Sequence, residues 1–483
     1  MPPPPAFFIV ALFFTFCCFF FSFLMIRRRT GSPNLPPGST GWPILGETLP
    51  FLRASRTGNP ESFVEERLLK YESPVFRTSL VGHDVAVFPG TQGNKFLFGN
   101  ENKLVALWWP PSIQRLFGRC LINSTGDEAK RQRKLFLAFL APEALLRYVE
   151  VMDEVTRHHF STLWRGRTEE VIEVYPRVKL YAFQLACRLF MSMEEPEQVR
   201  KLAARYEVFE KGMLQIPVSF PGTRYYEAKK AVAGIREELW SAARERREAL
   251  AQGRASPSQD LLSHLLATAD EEGRLLSEEE VVNNVLTLLF AGHDTAASAM
   301  TMLVKHLGES PDVYETVLQE QLCIARSKAP GELLRWEDAQ KMRVSWNVAC
   351  EVMRLTPPVT GSFRVALADF TYGGYTIPKG WKLFWSTTTH RDPRLFRMPE
   401  KFDPGRFEAG VAPFAYTPFG GGARMCVGRE FARLQILVFM HNLVKEFRWD
   451  VVVPGEAIKY DPMPAPQSGL PIRLHLLHPT ATG

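Results

Sequence analysis

Hydrophobic and polar positions divide the chain into an unbroken apolar start, a proline-punctuated stretch and a body in which helical periodicity dominates. From Ala6 to Ile26, "AFFIVALFFTFCCFFFSFLMI" runs 21 residues without a charge, and Arg27, Arg28 and Arg29 follow it. That run is long enough to cross roughly 30 Å of hydrocarbon as one helix. Prolines 33, 36, 37 and 43 then bar helix from Gly31 to Leu49 and predict a stiff spacer, with Trp42, Ile44 and Leu45 docked on the domain. After Pro60, Val64, Leu68 and Tyr71 stand at helical spacing. "VFRTSLVGHDVAVFPG" predicts a hairpin turning at Gly82 to Asp84. From about Asp127 to Met353 the pattern is mostly helical, with interleaved charges as in "IREELWSAARERREALAQ". It is broken by "MLQIPVSFPGTRYY" (Met213 to Tyr226), an apolar loop fit to face lipid or a substrate path. Short strands return after Gly361. No βαβ alternation is visible, so the expectation is an α+β, mostly helical domain with small sheets. The predicted organisation is an anchor with a basic stop over 1–29, a proline-rich hinge over 30–50 and one domain over 51–483.

Composition changes this picture little. Hydrophobic residues make up 46% and charged residues 23% of the 483, as in an ordinary folded protein. A formal charge of +6 suits a membrane surface or an acidic partner, not nucleic acid. The seven cysteines show no C-x-x-C spacing, which argues against a disulfide framework or a zinc ribbon and suits a reducing compartment. No basic n-region precedes the apolar run and no small-residue cleavage site follows it. The expectation is therefore an uncleaved single-pass anchor whose basic flank keeps the body in the cytosol.

The densest local chemistry is "YTPFGGGARMCVGREFA", Tyr416 to Ala432. A dinucleotide fingerprint fails because its third glycine is missing, and no Gly-Lys-Ser/Thr follows for a P-loop. Zinc lacks companion ligands near Cys426. A reactive thiol lacks a base close in sequence, although a distant one stays open, as does a buried structural cysteine. A haem thiolate accounts for each position. Cys426 offers the sulfur, Gly420, Gly421 and Gly422 let backbone N–H groups wrap it, and Phe419 shields it. Arg424 can pair with a propionate, and Gly428 lets the next helix pass close to the macrocycle.

Phe419-x-x-Gly422-x-Arg424-x-Cys426-x-Gly428 resembles the cysteine-ligand signature of the cytochrome P-450 monooxygenases without a gap. The resemblance implies haem b and the family's fold. It extends through the chain in order. Ala291-Gly292-x-Asp294-Thr295 looks like the oxygen-activation segment, with a helix opened locally at Gly292 and Asp294 and Thr295 delivering protons. Glu351, Arg354 and Arg406 look like the buried structural network. Arg364 and Arg133 look like propionate-binding arginines. Ala129 stands where relatives usually carry Trp or His, which leaves Lys130 as a substitute.

"WWPPSIQRLFG" and "IPVSFPGTRYYEAKKA" narrow the likeness to the plant clan acting on triterpenoids and steroids, and within it the chain resembles oxidases of the β-amyrin 28-monooxygenase type. Val365, where those relatives carry Glu, departs from them. The implied reaction is O2-dependent hydroxylation of a bulky isoprenoid, with repeated oxidation of one carbon in view. Steroid, taxane-like diterpenoid and abscisic acid hydroxylation, and an isomerase or non-catalytic haem protein, are the alternatives. Pocket walls are expected from Trp108, Trp109, Ile113, Phe117, Leu289, Ala291, Val359 and Thr360. The chain has no flavin or nucleotide fingerprint of its own. The resemblance therefore implies an NADPH-dependent reductase as partner at the endoplasmic reticulum membrane, docking on Arg424, Arg429 and Arg433.

Overall fold

The computed structural model describes residues 14–16, 19, 34–215 and 217–477. The expected anchor and its arginines lie almost wholly outside these residues. Among the described residues, no helix is long and apolar enough to cross a membrane. The helices that build the site are, in chain order, α1 (Gly90–Gly99), α2 (Gly126–Phe139), α3 (Val174–Met191), α4 (Pro196–Met213), α5 (Arg224–Ala251), α6 (Glu278–Gly308), α7 (Arg343–Leu355) and α8 (Arg429–Glu446).

The 31-residue α6 runs through the main core and packs along α3, α5, α7 and α8. A capping box starts it: the Ser277 hydroxyl accepts from Glu280 N (3.2 Å), and the Glu280 carboxylate accepts from Ser277 N (2.9 Å). Glu278, Glu279 and Glu280 at its start and Lys305 and His306 at its end complement the helix dipole. Apolar residues on nearly every side let it sit inside the fold.

Strands β1 (Phe76–Leu80), β2 (His83–Phe88), β3 (Val105–Leu107), β4 (Gly361–Ala366) and β5 (Lys382–Ser386) form a sheet of order β1-β2-β5-β4-β3. Only β2 and β5 in it are parallel. The hairpin turns one residue earlier than predicted. Leu80 pairs with His83, leaving Val81 and Gly82 at φ 50° and 77° as a two-residue turn, while Asp84 is already in the ladder opposite Ser79. Positive φ at both turn residues matches the right-handed twist of the flanking strands.

From residue 34 on, the spacer lies against the domain through its backbone rather than through the apolar side chains expected to dock. Arg77 N donates to Pro37 O (2.8 Å) and Glu47 N pairs with Ser79 O (2.7 Å), which lays its backbone on β1, while Thr376 N, from a separate two-stranded sheet, donates to Asn34 O (2.8 Å). Gly46 comes so close that a Cβ there would lie 2.0 Å from Ser79 O. Trp42 and Ile44 are not docked: they are 77% and 76% exposed. The loop between α4 and α5 likewise leaves Leu214, Val218 and Phe220 exposed.

Candidate active site

Cys426 sits in the loop between a 3-10 turn at Gly422–Arg424 and the start of α8. Cys426 N donates to Phe419 O (3.0 Å), closing the loop, and Gly420 N donates to Thr417 O (3.0 Å). Gly420 spends its N–H inside the loop rather than on the sulfur, and the other two glycines have a further use. Their job is close approach: a Cβ on Gly421 would lie 2.4 Å from the Phe98 ring, and one on Gly422 would lie 2.2 Å from Phe98 O. Gly422 also holds φ +64°, where a side chain is strained. The backbone donor to the sulfur is Gly428. We predict that Gly422→Ala costs about 1–3 kcal/mol from φ strain alone. Thermal unfolding and haem content of the purified protein measure it.

Cys426 lies deep in the fold yet keeps accessible surface. Burial raises its pKa, while the Gly428 N–H, Arg133 and Arg429 pull the other way without cancelling it. A thiol in that state gives up its proton when a metal binds. In the middle of α6, Leu288, Ala291, Gly292 and Thr295 form an accessible stripe among buried neighbours, at i, i+3, i+4 and i+7. Leu289, expected as a wall, faces the core instead, because one residue along a helix turns a side chain by about 100°. The helix is continuous through Gly292, so the predicted opening is absent. Gly292 lies against the Phe190 ring, and the Thr295 hydroxyl donates to Ala291 O (2.7 Å).

Asp294 and Thr295 point to different sides. Thr295 lies on the stripe, whereas Asp294 is buried with its Oδ1 3.1 Å from Lys179 Nζ of α3. Of the other expected walls, Ile113 and Phe117 are buried, Phe117 against the rings of Phe209 and Phe290. Trp108 packs its ring against His83 and Phe363, Trp109 and Thr360 are partly exposed, and Val359 is exposed.

The arginines converge. Arg364 Nε donates to Glu101 Oε2 (2.6 Å), and Arg424 Nε lies 3.5 Å from Glu101 Oε1. Arg424 also donates to Ser124 O. Arg133 acts electrostatically on both Arg424 and Cys426 and has no carboxylate partner among the described residues. Burial lowers the pKa of all three guanidiniums. Three cations and one carboxylate leave a surplus of +2 (3 − 1), which matches the two propionates of a haem. The residues present therefore fit that group. Lys130 does not join them: it pairs with Asp127 (2.8 Å) on the surface. Glu101, which organises the cluster, carries no motif around it.

Behind the loop, Arg354 Nε and Nη2 donate to Glu351 (2.6 and 2.8 Å), and Arg406 Nε to the same carboxylate (3.2 Å). Arg354 Nη1 donates to His390 O (2.8 Å), and His390 Nε2 accepts from Thr417 N (2.9 Å). Burial pushes the His390 pKa down to about 3, so its ring is neutral and free to accept. The network thus reaches the cysteine loop through His390, a residue the sequence did not single out.

The cysteine loop, the arginine cluster and the accessible stripe of α6 all lie in a stretch that a family model, Cytochrome P450, matches over residues 36–474. The chain belongs to the cytochrome P450 family. It is 53% identical to a β-amyrin 28-monooxygenase of Vitis vinifera over 92% of each chain, and 50% identical to one of Solanum lycopersicum over 94% of this chain and 96% of that one. It is 52% identical to another of Medicago truncatula over 92% of each. Among solved structures, retinoic acid-bound cyanobacterial CYP120A1 superposes with a TM-score of 0.83 at 34% identity, covering 92% of this chain and all of that one. This P450 is a monooxygenase whose family cofactor is haem, reduced by a redox partner.

Proposed function

We propose that this P450 is a haem-thiolate enzyme inserting one oxygen atom from O2 into a triterpenoid scaffold, with oxidation of a C-28 methyl through to the acid as its chemistry. The observation that carries the substrate class is identity of 50% or more, over nine-tenths of the chain, to enzymes named for that oxidation. Cys426 would ligate the haem iron through its sulfur, and Arg133, Arg364 and Arg424 would hold the propionates. Haem bound there supplies the activation of O2. Thr295, on the open stripe, hands protons to that chemistry, and Asp294 on the same turn is their source. The apolar stripe residues Leu288 and Ala291 suit a greasy substrate.

Electrons come from an NADPH-cytochrome P450 reductase. Arg429 is the exposed cation beside the loop. Arg424 is tied to Glu101 and Arg433 is paired with Glu430 (2.5 Å), so the docking face is narrower than three arginines. A single-pass anchor over 1–29 at the endoplasmic reticulum, with the catalytic domain facing the cytosol, follows from the charge-free run and its basic flank. Exposed Trp42, Ile44 and Phe220 are suited to the same lipid surface.

Reductase-bearing microsomes expressing the chain, fed β-amyrin, other triterpenes and sterols, test this by mass spectrometry. Oxidised triterpene is expected, and oxidation of sterols alone would overturn the substrate class. Thr295→Ala is expected to lower product per NADPH consumed by ~10-fold or more, within the range of a lost acid–base group.

A further inference from the structure

Behind Asp294 lies a buried cluster of ionisable side chains drawn from three helices. Lys179 comes from α3, Glu210 from α4, and His293 and Asp294 from α6. Lys179 Nζ is paired with Glu210 Oε2 and lies 3.1 Å from Asp294 Oδ1. His293 Nε2 lies 3.0 Å from Glu210 Oε1. Glu210, His293 and Asp294 are at most 3% exposed at their side chains, whereas Lys179 is 23% exposed and opens the cluster to the surface. The three ligating atoms of Glu210, His293 and Asp294 fall within 4.8 Å of one another, as in a metal site. The Lys179 ammonium already serves as the cation among them.

The proton inventory is constrained by geometry. His293 Nδ1 lies 2.6 Å from Leu289 O, and a carbonyl can only accept, so Nδ1 carries a proton. The Nε2–Glu210 contact then needs one more proton, placed either on the ring or on the carboxyl. Lys179 Nζ donates its hydrogen bond to Glu210 Oε2, whereas neither Asp294 Oδ1 nor Glu210 Oε1 receives a well-aligned one, so Asp294 meets the ammonium as an ion pair. Two carboxyls thus share one ammonium unequally. Burial raises both; His293 and Lys179 reverse this for Glu210, which is held below the usual carboxylate range. For Asp294, burial and then the Glu210 carboxylate raise the pKa, and Lys179 only partly offsets them. Neighbouring carboxyls driven apart in this way mark one as the charge and the other as the acid.

We propose that Lys179, Glu210 and His293 are positioning residues that decide whether Asp294 carries a proton, with Glu210 favouring the protonated form and Lys179 opposing it. The inference rests on the reading of Asp294 as the proton source for turnover. Further groups bear on the cluster: Tyr175 of α3 lies near Asp294 and Lys179, and Tyr206 and Glu207 come from α4. None of them bridges Glu210 to Asp294, so the two named substitutions act in opposite senses. Removing the Glu210 charge leaves Lys179 wholly to Asp294 and lowers its proton affinity. Removing the ammonium leaves two carboxylates facing each other and raises it.

The test is the pH dependence of product per NADPH in the full-length enzyme with its reductase, for wild type, Glu210→Gln, Lys179→Gln and Asp294→Asn. Coupling that needs a protonated Asp294 is present below its pKa and is lost as pH rises through it. Glu210→Gln is expected to move that loss to lower pH by roughly one unit, and Lys179→Gln to higher pH by roughly one unit, each about a tenfold change in proton affinity. The solvent isotope effect on coupling should rise in Glu210→Gln. Shifts in the same direction, or an unmoved profile in either variant that binds haem, overturn the proposal. So does failure of both to yield holoprotein, because the cluster is then a structural pin. If Asp294→Asn couples as well as wild type, the proton-source reading has failed. If it uncouples while the other profiles stay put, only the present inference has.

Discussion

Cys426→Ser is expected to lose the red-shifted reduced-CO band that marks thiolate-bound haem, and to drop product formation by ~10³-fold or more, about 4 kcal/mol of barrier. The Gly428 N–H, Arg133 and Arg429 all favour negative charge on the atom at this position, and burial opposes it. Sulfur can meet that balance by giving up its proton to a metal. An alcohol holds its proton far more tightly and cannot be an equivalent ligand. The loop itself should survive, because Cys426 N to Phe419 O and Gly420 N to Thr417 O are backbone bonds. The apoprotein should therefore unfold at close to the wild-type temperature, and this separates a lost ligand from a lost fold. A serine variant that kept the thiolate band would refute the assignment.

Arg354→Leu is expected to cost about 3–5 kcal/mol, because it leaves Glu351 charged and buried with two of its four hydrogen bonds gone. Glu351 and Arg354 are both fully buried, and the guanidinium makes two bonds to the carboxylate and one to His390 O. A loss of that size is a large share of the roughly 5–15 kcal/mol that holds a domain folded. Arg354→Lys should fare little better, since a single ammonium cannot reproduce the planar fork that serves Glu351 and His390 together. Thermal unfolding and the fraction recovered with haem check both variants. The haem fraction should fall even where some fold remains, because the path from Arg354 through His390 and Thr417 ends in the cysteine loop. Wild-type stability and haem content in Arg354→Leu would rule out this role.

Features set by neighbours in sequence were legible in the sequence. The loop around Cys426, the i, i+3 pair Glu351–Arg354, the helix-rich body and the returning strands all depend on spacings of a few residues. Arg364, Arg424 and Arg133 could be named one by one through resemblance, but what joins them could not. Glu101 lies 263 positions from Arg364, in a stretch with no motif of its own. His390 and the Lys179–Glu210–His293–Asp294 cluster escaped for the same reason: their partners come from separate elements.

Direction was the second blind spot. Apolar periodicity found α6 but not which apolar residue faces the opening, so Leu289 was expected where Leu288 stands. Asp294 and Thr295 read as one unit in sequence and diverge in space, one toward Lys179 and the other onto the stripe. Likewise the spacer's apolar side chains misled, because glycine-permitted backbone contact does the docking. By itself the sequence determined the family, the sulfur and the helical frame, since covalent spacing and periodicity are properties of a one-dimensional chain. Only the tertiary structure decided which charges share a site and which face of α6 meets it. Those depend on helix rotation and on the burial that makes an unpaired charge costly, and neither exists until the chain has folded.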